Sequence, residues 1–257
     1  MNRLQKLFKE RKNNILNIYY TAGFPTRNDT VTIAQYLEQA GADIIEIGIP
    51  FSDPVADGPT IQASNKIALD NGMTTKILLE QVKEIRKTVK IPIILMGYFN
   101  PVMQYGVEKF ARDAVQAGVD GLILPDLPMF EFEENYKTLF ESIGLSNTFL
   151  ISPTTSEERI REIDRASNGF IYAVSSSSIT GAKGDFSTEQ IAYFERLKQL
   201  KLTNPFLIGF GISNHATFAK AAEYGAGAIV GSAFISLLQN AKNIKPDIEA
   251  FVKSIRN

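Results

Sequence analysis

The sequence predicts an α/β protein: a (βα)8 TIM barrel forming a single domain over residues 1–257, with a short helix ahead of the first strand. Three observations lead there. Eight short apolar, β-branched runs recur along the chain, separated by stretches with helical periodicity. Most of these runs are near-continuous in apolar character, as strands of a parallel sheet covered on both faces require. No linker, low-complexity tract or shift of composition divides the units, and about 250 residues is a usual size for such a barrel.

Taken in order, a helix at Asn2–Arg11 precedes the first strand and is placed to cap the barrel bottom. Strands are expected at Ile15–Tyr20, Asp43–Ile49, Ile91–Gly97, Val119–Pro125, Asn147–Ile151, Phe170–Ser175, Pro205–Gly209 and Ala226–Gly231. Helical patterns fall at Asp29–Ala40, Thr75–Thr88, Val107–Ala117, Glu131–Ile143, Ser156–Ala166, Thr188–Leu200 and His215–Tyr224. Asn28-Asp29 and Ser156-Glu157-Glu158 put capping or acidic residues in first turns. Gly41, Gly118, Gly144 and Gly225 follow helix ends, where a positive φ is often needed. Strict β-α alternation argues for a parallel sheet. The alternative, an open doubly wound sheet, would carry a Gly-rich fingerprint after the first strand. This chain has Thr21-Ala22-Gly23-Phe24-Pro25 there. The connection from Phe51 to Asn71 is longer than a typical βα loop, and long loops in compact domains are usually functional.

Composition removes several function classes. With 44% hydrophobic and 21% charged residues the chain is ordinary globular material. Its 27 basic and 28 acidic residues give a net charge of −1, with no basic stripe for nucleic acid or an anionic membrane. The absence of Cys excludes disulfides, thiolate chemistry and Cys-ligated metal. His215 is the only histidine, so a multi-His metal site and a Ser-His-Asp triad are both excluded within one chain. No metal site is expected. The polar N-terminus lacks the apolar core of a secretion signal, and no run approaches the length of a membrane span, so the expected location is cytoplasmic.

Active sites of such barrels form at the C-terminal ends of the strands. Glu46 sits inside the apolar run Asp43–Ile49, roughly 10 Å below the strand end at about 3.3 Å per residue. A carboxylate buried there tends to raise its pKa, which suits acid-base work near neutral pH. The competing reading is a Glu paired with a Lys or Arg in the barrel core. The following loop, Pro50 to Gln62, carries Asp53 and Asp57. Its prolines and Gly58 make it stiff, but Asp before Pro or Gly is also a common turn residue, and pattern alone decides neither aspartate. After the seventh and eighth strands come Gly209-Phe210-Gly211-Ile212-Ser213 and Gly231-Ser232-Ala233. Glycines and a helix start at these positions suit phosphate, with close turn packing as the alternative. The run Ser175-Ser176-Ser177-Ser178-Ile179-Thr180-Gly181-Ala182-Lys183-Gly184 suits a lid or a solvated loop.

The stretch from Glu46 through Gln62 resembles the signature of tryptophan synthase alpha subunits. The resemblance extends over essentially the whole chain, through Thr21–Pro25, Tyr98-Phe99-Asn100-Pro101, Asp126-Leu127-Pro128, Thr180-Gly181, Gly209–Ser213 and Gly231-Ser232. It implies retro-aldol cleavage of indole-3-glycerol phosphate to indole and glyceraldehyde 3-phosphate. Glu46 and Asp57 match the family's two catalytic carboxylates. Gly181, Gly211, Gly231 and Ser232 would hold the phosphate through backbone N–H groups. Tyr98 and Tyr172 would line the indole pocket, with Tyr19 nearby, and Thr180 resembles the lid threonine that bonds the loop carboxylate. The resemblance further implies an α2β2 assembly with a beta subunit that receives the indole. The loops Pro50–Asp57 and Asn100–Gly106 would face that partner. Pyridoxal phosphate would belong to the beta subunit, leaving this chain without a cofactor.

The chain also departs from the family pattern. Ser176 and Ser178 stand where many members have Arg and Gly, and Phe24 where some have an acidic residue. A stand-alone lyase releasing free indole and a non-catalytic activating subunit are the other readings. The presence of both carboxylates argues against the second. A phosphosugar isomerase would want a Lys or His at a strand end, whereas His215 is placed to begin a helix at the surface.

Overall fold

The computed structural model describes residues 1–175 and 186–257. Its strands are β1 (Ile15–Thr21), β2 (Ile44–Gly48), β3 (Ile93–Met96), β4 (Gly121–Ile123), β5 (Ser146–Thr148), β6 (Leu150–Ile151), β7 (Ile171–Val174), β8 (Phe206–Gly209) and β9 (Gly227–Val230). They form one parallel sheet in the order β5-β4-β3-β2-β1-β9-β8-β7-β6. The two ends of that sheet are β5 and β6, separated only by Phe149. β5 pairs with β4 and β6 with β7, and the Phe149 carbonyl accepts the Tyr172 N–H at 2.9 Å. The predicted strand Asn147–Ile151 is therefore these two pieces, and the eight expected strands close into a barrel.

The apolar residues divide by strand alternation into two sets. Ile15, Ile44, Ile94, Ile123, Tyr172, Leu207 and Ile229 pack in the barrel interior. Ile18, Ile45, Ile47, Leu95, Leu122 and Ile208 face outward under the helices. The interior is plugged from below by the helix Arg3–Glu10, whose Leu4 and Phe8 join the inner set, with the Phe8 and Phe170 rings 5.7 Å apart. This helix starts at Asn2 with a capping box closed by Gln5. The Asn2 amide also donates to the Asp120 and Gly144 carbonyls and to Ser146 Oγ. Asp120, buried at the foot of β4, accepts from Arg3, from Arg86 and from the Ile93 N–H that opens β3.

Other differences from the sequence reading have local causes. The long connection after β2 contains a helix, Pro59–Asp70, entered from extended Gly58 with Pro59 in its first turn, where a missing N–H costs nothing. Helices Phe99–Tyr105, Ser232–Asn240 and Ile244–Arg256 also lie outside the expected patterns. The stretch expected as one helix at Glu131–Ile143 is broken by a wide π turn at Phe132–Tyr136. There the Phe132 ring packs edge-on to Phe140 and Phe149 while Tyr136 packs on Phe99. Asn28 makes no cap; instead the Asp29 carboxylate accepts the Thr26 N–H. Ser156 does cap its helix. Gly41, Gly118 and Gly144 are left-handed, but Gly225 is extended. Gly225 is small for another reason: a Cβ there would lie 2.8 Å from the Phe206 carbonyl.

Asp120→Ala should lower the unfolding free energy by about 3–5 kcal/mol, because it strands the Arg86 guanidinium in a site where it is largely buried. Denaturant titration checks this. A loss below about 1 kcal/mol, the range of an exposed pair, would show that the network is not structural.

Candidate active site

Alternation along β1 sends Asn17, Tyr19 and Thr21 to the same face as Ile15, into the barrel. In register, Tyr19 lies opposite Glu46, which in turn lies opposite Ile94 of β3. Glu46 thus points into the interior one layer below the strand end. Its residue is 0% exposed, and no Lys or Arg reaches it among the described residues. The competing reading of a cationic partner in the core is thus not met among the described residues. Its partner is neutral: the Asn17 amide donates to Oε2 at 2.5 Å, while Oε1 has no hydrogen-bond partner among the described residues. Burial pushes the Glu46 pKa up to about 7, with the Asn17 hydrogen bond pulling the other way.

Above Glu46 the wall is shaped by two tyrosine-glycine pairs. A Cβ on Gly48 would sit 2.2 Å from the Tyr19 hydroxyl, and one on Gly209 would sit 2.4 Å from that of Tyr172. Tyr19 is in register with Glu46 and Tyr172 with Leu207. Each ring therefore leans across the next strand, over the glycine two residues beyond its register partner. Burial raises the pKa of both phenols, so both stay protonated.

Asp57 comes from the loop after β2. Turn bonds hold that loop, with the Val55 N–H on the Asp53 carbonyl and the Asp57 N–H on the Pro54 carbonyl. The Gln62 side chain ties back to the Asp57 carbonyl at 2.8 Å. The Tyr98 hydroxyl accepts the Ala56 N–H at 2.9 Å, and its ring packs 5.0 Å from that of Phe51. Partial burial pushes the Asp57 pKa up to about 6, against a lowering hydrogen bond from Tyr98. Asp53 is exposed and serves the turn.

These groups meet around a cavity of about 300 Å3 at the C-terminal mouth, lined by Tyr19, Glu46, Asp57, Tyr172, Gly211, Gly231 and Ser232 together with apolar Ile61, Met96, Phe210, Ile212 and Ile229. Tyr98 stands behind Asp57 and is not in the lining. After β8, Phe210 and Gly211 have φ of +68° and +77°. The helix Ser232–Asn240 begins at Gly231 with no side-chain cap, so its first N–H groups face the cavity with Ser232 and Ala233. Thr180 and Gly181, like Ser176, Ser178 and Lys183, lie outside the described residues. His215 is exposed at a helix start, as expected. Phe24 is buried in the layer under the helices. Among the described residues no helix is long and apolar enough to cross a membrane, and no cluster of three or more His, Cys, Asp or Glu could hold a metal.

Asn17 and Ser236 were not singled out in the sequence. Asn17 carried the same signal as Glu46, a polar side chain inside an apolar strand. Ser236 lies one turn beyond Ser232 on a helix the periodicity did not reveal.

Fold and cavity together define a (βα)8-barrel protein with two carboxylic acids, Glu46 and Asp57, in a cavity at its C-terminal mouth. Residues 4–256 match the family model of the tryptophan synthase alpha chain. The chain is 57% identical over 256 residues to the tryptophan synthase alpha chain of Flavobacterium psychrophilum, covering 99% of this chain and 100% of that one. It is likewise 57% identical to that of Flavobacterium johnsoniae over 257 residues, covering both chains in full. Among solved structures it is similar to the tryptophan synthase alpha chain of Legionella pneumophila, with a TM-score of 0.88 and 38% identity over 100% of this chain and 96% of that one. It is also similar to a chain of the M. tuberculosis tryptophan synthase, with a TM-score of 0.87 and 32% identity over 100% of this chain and 98% of that one. The chain belongs to the tryptophan synthase alpha chain family.

A carboxyl pKa near 7 in the fold against 4.5 in the open has a consequence for stability. Between those values the folded state holds more protons than the unfolded one, so stability falls as pH rises and levels off above about 7. Glu46→Gln removes this cost. Its advantage over the wild type should be near zero at pH 4 and about 3 kcal/mol at pH 8. Paired denaturant curves at the two pH values measure it, and an advantage that does not grow with pH would contradict the raised pKa.

Proposed function

We propose that this chain cleaves indole-3-glycerol phosphate to indole and glyceraldehyde 3-phosphate, with Glu46 and Asp57 as its catalytic residues and the whole chain acting as one domain. The observation that carries this reading is Glu46: a fully buried acid with no cation beside it among the described residues, on the wall of a cavity whose other acid is Asp57. Breaking the bond at indole C3 requires that carbon to be protonated first. Glu46 in its acid form donates that proton. The positive charge then spreads to the ring N–H, where ionised Asp57 stabilises it. As the carbon-carbon bond breaks, its electrons return to the ring, and the neighbouring glycerol hydroxyl gives its proton to Glu46 and becomes the aldehyde. The proton count closes on Glu46.

Tyr19, Met96 and Tyr172 supply walls against which the indole packs. Gly211, Gly231 and Ser232 receive the phosphate on backbone N–H groups. Tyr98 supports the loop carboxylate from behind. The steps call on no cofactor in this chain, and pyridoxal phosphate belongs on this reading to the beta subunit. The setting proposed is cytoplasmic, in keeping with a biosynthetic family and a chain without cysteine.

Glu46→Gln should lower kcat/KM by about 10²–10⁴-fold and Asp57→Asn by about 10²–10³-fold, read as indole release. Since Asp57 must be ionised and Glu46 protonated, kcat/KM should peak between about pH 6 and 7, falling on the acid side with Asp57 and on the alkaline side with Glu46. A profile flat from pH 5 to 8, or near wild-type turnover by Glu46→Gln, would overturn the assignment.

The family's assembly pairs this chain with a tryptophan synthase beta subunit, as α2β2. Val55, Met103 and Phe130 are 80%, 52% and 67% exposed and follow β2, β3 and β4 around the mouth, which suits a partner that takes indole from that end. Saturating beta subunit should raise the cleavage rate, because the Asp57 loop lies both at the site and on this rim. An unchanged rate would favour a stand-alone lyase.

A further inference from the structure

We propose that Asn17 is a positioning residue for this reaction: its amide holds Glu46 in both protonation states, donating to the carboxylate and, after a half-turn, accepting from the acid. The proposal rests on the reading of Glu46 as the proton-transfer group.

Asn17 and Glu46 both project into the interior from adjacent strands, each 0% exposed, and meet at 2.5 Å. A β-branched apolar residue would suit this interior strand position better than Asn. Buried polar side chains placed only for structure normally have all their strong groups paired. Here two acceptors are left over, Asn17 Oδ1 and Glu46 Oε1, with no partners among the described residues. One added proton gives Oδ1 a donor. When Glu46 is protonated, its O–H can bond Oδ1 of the turned amide. When Glu46 is ionised, Nδ2 donates to it as seen. An amide is suited to the task because it carries both a donor and an acceptor. A Lys or Arg would stabilise only the ionised form and hold the acid at low pKa.

The titratable groups facing Glu46 are Tyr19 on β1, Tyr172 on β7 and Asp57 on the loop. β3 offers Ile94 in register and Met96 in the cavity wall. The Tyr19 hydroxyl is directed to Thr21 Oγ1, and the partner bonded at Oε2 is Asn17.

Asn17→Leu keeps the branching and number of heavy atoms and removes the amide. Its kcat should fall about tenfold while KM stays within roughly twofold, as for an interaction spent on the reacting group and not on binding. The alkaline limb of kcat/KM should move up by about one pH unit, because the carboxylate loses its donor. The pH at which the stabilising advantage of Glu46→Gln levels off should move up equally when Glu46 and Gln are compared on the Asn17→Leu background, a readout that needs no turnover. Asn17→Ser, whose hydroxyl both donates and accepts, should recover part of kcat. If Asn17→Leu does not fold, Asn17→Ala carries the same readouts. An active wild type whose alkaline limb and stability profile are unmoved in the variant overturns the role of Asn17 alone. A wild type that releases no indole overturns the reaction, and the role with it, while the stability readout still reports whether the two side chains are coupled.

Discussion

The fold depends on one constraint: a parallel sheet has no free edge only when its first and last strands meet. In this chain they meet at Phe149, where the ladder passes from β4 to β7 within a single short segment. Closure makes the interior a finite volume with a bottom and a mouth. The bottom is filled by Leu4 and Phe8 and locked by charged networks around Asp43 and Asp120. At the mouth the Tyr19 and Tyr172 rings take the space over Gly48 and Gly209, and the cavity opens above Glu46. Packing at one end and open space at the other follow from the same eight strands.

Within that volume Glu46 is a local loss accepted by the whole. An apolar residue in its place would pack in the interior at no electrostatic cost. The surrounding strands tolerate the carboxyl by letting it carry a proton near neutrality, and that same tolerance makes it able to give and take one. Asp57 lies at the other extreme, on a loop held by turn bonds and by Tyr98, half-open to water. Burial raises the proton affinity of both acids, against a hydrogen bond from Asn17 at one and from Tyr98 at the other.

Much of the fold could be read from the sequence, because parallel strands buried on both faces leave an unbroken apolar signature, and Asp29–Ala40, Val107–Ala117 and His215–Tyr224 coincide with observed helices. What escaped was of two kinds. Pro59–Asp70 follows a run of turn residues that masks its start, and Phe99–Tyr105 and Ser232–Asn240 begin directly at the barrel mouth with no side-chain caps. The wide turn at Phe132–Tyr136 depends on rings that are far apart in the chain. At the site, Glu46 stood out by charge and the phosphate-type ledge by glycine spacing. Asp57 could not be separated from an ordinary turn aspartate by pattern, and only resemblance favoured it. Asn17 was hidden because its meaning lies in the register between β1 and β2, which no single strand displays.

The tyrosine-glycine pairs bear on how such a cavity can change over generations. Gly48 cannot acquire a side chain while Tyr19 lies across it, nor Gly209 while Tyr172 does. Any route to a wider or differently shaped mouth must therefore trim the ring first and enlarge the glycine afterwards. The intermediate, with neither bulk present, would be a roomier pocket.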